Sequence, residues 1–297
     1  MLVSIKQMHT TLLWVLYVEV WSAHSAFGLQ DRSFFKLAGF DNASLFEPRK
    51  PCAMFLGSGP SAMHDLNALA PLLDSLDLWS SNFFFLHPFI IPAFYHVEIK
   101  AKKPVGLWDS SLREYSWLAH FQQNSTKRHL YNDVLFFAAR TIHRSTSELG
   151  MEQSTSYKRR MPLGCVLKSK YKCDQSIKFI ISTMVASGYK YIFLLGVDMY
   201  TADYFWSQTE NKHLFEGMHL PDPTSERFKA HRSNASVHNN LNCNVPLFFN
   251  RLSKGCHQSF INLSPRSPLK HTMDTFHVND LPADILQTCS SKGEGME

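Results

Sequence analysis

Five short apolar runs constrain this chain most: AMFLG (53–57), VGLWD (105–109), DVLFFAA (133–139), YIFLLGV (191–197) and SFINLS (259–264). Strands that meet water on neither face show such nearly unbroken apolar runs instead of alternation. Helix-length segments separate most of them, and parallel strands need crossovers of that length. The fold class read from this pattern is α/β: a Rossmann-like, doubly wound, mostly parallel sheet. A chain of 297 residues with 44% hydrophobic and 19% charged residues is long and apolar enough to bury the core of one large domain or two smaller ones. Two stretches break the alternation. Residues 147–164 are polar, and residues 200–238 are rich in Pro, Asn, Ser and His. A long irregular insertion of this kind reads as a lid, a binding loop or disorder.

The formal charge of +5 is spread out, with one basic cluster at Tyr157–Arg160 that reads as a solvated loop. A nucleic-acid binder would interleave more basic residues with aromatics, so no nucleic-acid partner is expected. The six cysteines, at 52, 165, 173, 243, 256 and 289, form no CxxC pair and no zinc spacing, and by themselves they do not fix the redox compartment. Asn42, Asn124, Asn234 and Asn262 head Asn-x-Ser/Thr sites that a secreted chain could glycosylate. Near the N-terminus, Lys6 precedes TTLLWVLYVEVW and the small residues SAHSA follow, in the manner of a signal peptide or short anchor. The alternative is an amphipathic or disordered leader. Glu19 interrupts the run, which falls short of the roughly 20 residues that span a bilayer.

The stretch CAMFLGSGPSAMHDL (52–66) is an apolar strand entering glycines and then a helix start. Gly57, Gly59 and Ala62 match G-x-G-x-x-A, whose glycines let a backbone approach phosphates at a helix N-terminus. A dinucleotide site also wants an acidic residue at the end of the second strand, where LDLWSSNFFF (76–85) offers Asn82 instead. The pyrophosphate assignment therefore weakens. A single phosphate, or a tight turn holding no ligand, stays open.

FLGSGPSAMHDL, LDLWSSNFFF, IISTMVASGYKYIFLLGVDMY (180–200), HNNLNCNVPLFFNRL (238–252) and INLSPRSPL (261–269) together resemble the bacterial lipooligosaccharide sialyltransferases of glycosyltransferase family 42. The pieces keep the family's order from about residue 51 to 270. The resemblance implies a GT-A-like variant of the sheet, with a leader over 1–48, a transferase domain over 49–288 whose lid is about 200–238, and a tail over 289–297. It also implies inverting, metal-independent transfer of sialic acid, or a related nonulosonic acid, from a CMP donor to a glycan or glycolipid hydroxyl. No cofactor beyond the CMP-sialic acid donor is implied. The chain contains no D-x-D, the carboxylate pair that often holds a diphosphate-bridging metal.

On the same resemblance, His238 is the general base, with His231 as rival; an imidazole with a pKa of about 6.5 can take a proton at neutral pH. Tyr200 and Tyr204 are the donors to the departing phosphate, and Asp198 beside them hydrogen-bonds a loop or orients a neighbour. Gly57, Ser58, Gly59, Ser61, Asn82, Asp109, Ser176, Arg266 and Ser267 are the expected substrate contacts. The family has Asn at Ser58, Asn before Pro-Ser at Asp109 and Arg at Cys173. These differences keep a noncatalytic nucleotide- or glycan-binding descendant as an alternative, beside a pterin diphosphokinase-like or motility-factor-like protein. Family members often form tetramers, so a homo-oligomer and membrane association are further expectations. The location implied is the secretory pathway or a membrane periphery, Golgi-like in a eukaryote and inner-membrane in a bacterium.

Overall fold

The computed structural model describes residues 46–64, 66–96, 124, 129–131, 133–138, 141–143, 176–199, 203–222 and 245–291, and all structural statements concern these. Eight strands form one sheet: β1 Cys52–Leu56, β2 Asp77–Ser81, β3 Phe94–His96, β4 Leu135–Ala138, β5 Thr141–His143, β6 Tyr191–Leu195, β7 Ser259–Asn262 and β8 Asp274–Thr275. Their order is β5-β4-β3-β2-β1-β6-β7-β8. The six strands β3-β2-β1-β6-β7-β8 are all parallel, which numbered among themselves is the 3-2-1-4-5-6 order of a Rossmann-like sheet. β4 adds a further parallel strand, and β5 closes that edge antiparallel.

Four helices cover the sheet: α1 Leu66–Leu73, α2 Ser176–Ser187, α3 Val245–Gly255 and α4 Ala283–Ser290. Strand side chains alternate between faces, and both faces are buried. Ala53 and Phe55 of β1 with Ile192 and Leu194 of β6 join Ile180, Met184 and Phe249 of α2 and α3 in one core. Met54, Leu56, Phe193 and Leu195 join Leu69 and Leu72 of α1 and Cys289 of α4 in the other. Two cores explain the unbroken apolar runs of β1 and β6. Of the expected strands, AMFLG, YIFLLGV, SFINLS and DVLFFAA became β1, β6, β7 and β4, while VGLWD lies outside the described residues.

The N-terminal approach to the sheet is fixed by buried polar contacts. The Asp77 carboxylate accepts from the Arg49 amide at 2.8 Å and the Tyr189 hydroxyl at 3.0 Å, and that hydroxyl accepts from the Trp79 indole at 3.1 Å. Burial pushes the Asp77 carboxyl above its ordinary range, against the pull of these donors. Trp79 stacks on Phe94 with centroids 4.2 Å apart.

One sequence expectation needs correction. Asn124 and Asn262 are unavailable for glycosylation in this fold. The Asn124 amide donates to the His219 carbonyl and accepts from its N–H, and the Asn262 amide donates to both the Ser264 carbonyl and the Thr275 hydroxyl. Both residues are buried. In α4, Cys289 is disulfide-bonded to Cys52 of β1 across 237 residues. Cys256 is disulfide-bonded as well.

A link that closes so long a loop restricts the unfolded chain strongly, with typical contributions of about 2 to 5 kcal/mol. Replacing Cys52 and Cys289 together by Ser is therefore expected to lower the melting temperature in non-reducing buffer. Identical melting of the parent and the double variant would show that the link adds no stability.

Candidate functional site

The chain leaves β1 toward β2 on one side and returns on the other side at β6. The carboxyl ends of β1 and β6 therefore form the topological switch point, where open α/β sheets bind ligands. Two loops meet there, residues 57–61 after β1 and 196–199 after β6. The Gly57 N–H donates to the Leu195 carbonyl at 2.7 Å and the Gly59 N–H to the Gly196 carbonyl at 2.9 Å. The Ser61 N–H donates to the Asp198 carboxylate at 2.9 Å, and the Ser61 hydroxyl accepts from the Gly196 N–H at 3.1 Å while pairing with the Ser264 hydroxyl at 2.7 Å. The expectation that Asp198 hydrogen-bonds a loop is met.

These contacts explain the glycines. A Cβ on Gly57 would overlap the Gly196 carbonyl oxygen, one on Gly196 would overlap that of Gly57, and one on Gly59 would overlap the Asp198 carboxylate. Gly196 also has φ +71°, a conformation that costs other residues energy. The glycine pattern thus serves the approach of two protein loops.

Of the expected phosphate contacts in this loop, Gly57, Gly59 and Ser61 have their N–H groups engaged within the protein, as does Ala62, which donates to the Gly59 carbonyl. Pro60 has no N–H. Ser58 differs: it is half-buried, and its N–H and hydroxyl make no hydrogen bond among the described residues, although its carbonyl accepts from the Phe205 N–H at 3.1 Å. Ser58 is the group through which this loop can address a ligand.

The wall beside Ser58 comes from residues 203–222, the described part of the expected lid. Phe205, Trp206 and Phe215 are buried in the core that contains β1 Met54 and Leu56. Half-buried Tyr204 stacks on Trp206 at 4.4 Å and 11°. This part is a packed cover. His87 braces it from beneath: its Nδ1 accepts from the Phe89 and Ile90 amides, so the proton sits on Nε2 and donates to the Ala62 carbonyl at 3.1 Å. Its ring packs on Phe84 and Phe205.

Asn82 stands at the end of β2 with φ +56°, its carbonyl accepting from the Tyr95 hydroxyl. Asn tolerates that conformation. Met199 at φ +57° has no such excuse, so the last described residue after β6 holds backbone strain. The Ser267 hydroxyl is buried and donates to the Val197 carbonyl at 2.8 Å, tying the 265–267 turn to the loop after β6. Arg266, next to it, is exposed. Ser176 opens α2. Tyr200, His238, His231, Asp109 and Cys173 lie outside the described residues.

No family model, no curated protein and no solved structure matches this chain.

The roles of Gly196, Ser264 and His87 were missed in the sequence. A glycine directly after an apolar strand, as in LLGVD, is a signal for a close backbone approach. Nothing in the local sequence of Ser264 or His87 marks their distant partners Ser61 and Ala62, which lie 203 and 25 residues away.

Gly196→Ala is expected to destabilise by about 2 to 4 kcal/mol, since it adds a backbone collision to a positive φ. Ser58→Ala, which touches none of the loop contacts, should leave the melting temperature within about a degree or two of the parent. Thermal denaturation of both variants checks this; a Gly196→Ala protein as stable as the parent would mean that the loops do not meet so closely.

Proposed function

We propose that this chain is a glycosyltransferase that moves sialic acid, or a related nonulosonic acid, from its CMP donor to a glycan hydroxyl with inversion and without a metal. The reading draws on the ordered resemblance to family 42 and on the sheet, whose switch point lies where a nucleotide-sugar would enter. The observation that carries it is Ser58: in a loop whose other N–H donors are engaged internally, one free N–H and one hydroxyl remain at that edge, beside Tyr204.

The chemistry on this reading is a displacement at the anomeric carbon. The acceptor oxygen forms the new glycosidic bond while the bond to the CMP phosphate oxygen breaks and its electron pair leaves with CMP. His238 takes the hydroxyl proton, and Tyr200 and Tyr204 hydrogen-bond the phosphate as its charge develops. The roles of His238 and Tyr200 rest on the resemblance alone. Trp206 stacked under Tyr204 limits how far that ring can turn. A disulfide between β1 and α4 suits an oxidising compartment and, with the apolar leader, favours the secretory pathway. No helix among the described residues is long and apolar enough to cross a membrane.

A second reading has a specific observation behind it. Loop packing accounts for Gly57, Gly59 and Ser61 without any phosphate, which suits a noncatalytic descendant that binds a glycan or nucleotide.

Thermal-shift titration separates these readings from a kinase-like one. CMP and CDP should raise the melting temperature while UDP and ATP do little, with about 2.7 kcal/mol of stabilisation at 100 times Kd; a preference for ATP would sink the proposal. On the transferase reading, His238→Ala should lose transfer yet keep CMP binding, and EDTA should leave the parent's rate unchanged. CMP binding without donor hydrolysis or transfer by the parent would favour the noncatalytic descendant.

A further inference from the structure

Helix α2 runs into β6 and α3 runs into β7, each antiparallel to the strand that it precedes, so the N-terminal turns of both helices rise at the carboxyl edge of the sheet. Lys178 stands in the first turn of α2. It is only 4% exposed, and its ammonium lies 5.8 Å from the ring centroid of Phe248 in the first turn of α3. Its neighbour Phe179 packs on His96 at the carboxyl end of β3, with ring centroids 5.3 Å apart. Val197 and Met199, from the loop after β6, pack into the same core as Phe179 and Phe248. The lysine therefore sits on the edge where the switch-point loops meet.

This position is electrostatically odd. Helix N-termini carry partial positive charge and favour anions. Here a cation lies between two of them, and among the described residues no carboxylate pairs with it and no hydrogen bond is made by its ammonium. Elsewhere on α2, Thr183 and Ser187 donate to the Phe179 and Thr183 carbonyls, while the small Ser182 hydroxyl is buried without a partner among the described residues; only Lys178 buries a full charge there. A Met or Leu would fill the place of Lys178 without burying a charge. Loss of solvent around the ammonium lowers its pKa from 10.5 to about 8, which still leaves it mostly protonated at neutral pH. Its neighbour in sequence, Phe179, packs on the titratable ring of His96.

We infer that Lys178, with the N-terminal turns of α2 and α3, forms an oxyanion subsite that takes the carboxylate or phosphate of a ligand entering at the carboxyl edge of the sheet. The ammonium supplies charge and up to three donors, the first turn of α2 adds aligned N–H groups, and that of α3, where Pro246 has no N–H, adds its dipole. The aromatic floor keeps water away and so strengthens the pairing. The identity of the ligand rests on the transferase reading, under which the oxyanion is either the donor phosphate or the sugar carboxylate. The subsite itself does not.

The test uses the full-length protein with inorganic phosphate, free N-acetylneuraminate and CMP as separate probes, measured by titration calorimetry and thermal shift. Lys178→Met keeps the length of the side chain, and Lys178→Arg restores the charge. Without ligand, Lys178→Met should melt at or above the parent at pH 7. The lysine's folded-state pKa is lowered, so its cost to folding is full below pH 8 and fades as pH rises toward 10.5. With ligand, Lys178→Met should weaken at least one probe by about 10-fold or more, Lys178→Arg should recover part of the loss, and the parent's affinity should fall as pH rises through 8. Loss of phosphate and CMP binding assigns the phosphate; loss of N-acetylneuraminate binding assigns the carboxylate. Lysine-dependent binding of a probe other than CMP, with no CMP binding at all, would keep the subsite and sink the transferase reading. Equal affinities of parent and Lys178→Met for every probe, even with full transfer activity, would overturn the subsite and leave that reading standing.

Discussion

Two backbones touching at the carboxyl ends of β1 and β6 set the rest of this molecule. Residues 57 and 196 come so close that neither can carry a side chain, and the approach draws Asp198 over the Ser61 amide. The two central strands stay in register up to that point, Leu56 opposite Leu195, so the contact prolongs the sheet's own pairing into its loops. The bend after β1 is consequently a tightly bonded element. What this bend leaves open at its rim is Ser58, beside the wall that Tyr204 and Trp206 form.

The central sheet was legible because burial on both faces leaves a mark: β1, β4, β6 and β7 are written as apolar runs. β3, β5 and β8 carry no such mark, being two or three residues long and paired at or near the edges, where neighbours supply the order. The site was legible only in location. The glycines of GSGPS announced a close approach, but sequence pattern cannot say whether the partner is a phosphate or another loop. That answer depended on Gly196 and Asp198, whose contacts span more than 130 residues. Likewise, nothing in SIKFIISTMVAS distinguishes a buried Lys178 from a surface lysine on an amphipathic helix; only the burial of α2 on nearly every side does.

Polar groups in this core fall into two kinds. Most are closed locally, such as the His87 imidazole between two amides and a carbonyl, or the Asn262 amide between a carbonyl and a hydroxyl. These hold the architecture, since leaving any of them unmade would cost about 1 to 3 kcal/mol. The second kind is left open. Among the described residues, the Asp198 carboxylate keeps one oxygen buried without a partner, and the Lys178 ammonium has only an aromatic ring. Both lie at the carboxyl edge. Ser182 Oγ in the middle of α2, Trp206 Nε1 and Gln258 Oε1 ahead of β7 are likewise buried without a partner among the described residues, so open groups occur at that edge but are not confined to it.

The Cys52–Cys289 bond also has a mechanical meaning. It joins the first strand of the sheet to the last helix, so the covalent chain between them is a closed ring threaded through every layer of the domain. Tension applied to the segments flanking that ring would pass from one sulfur to the other, and the hydrogen bonds between β1 and β6 would carry none of it. While the bond is intact, a machine that pulls on either end could not unzip the sheet strand by strand. It would have to admit two chains at once, so reducing this bond is the step that would open the domain to mechanical unfolding.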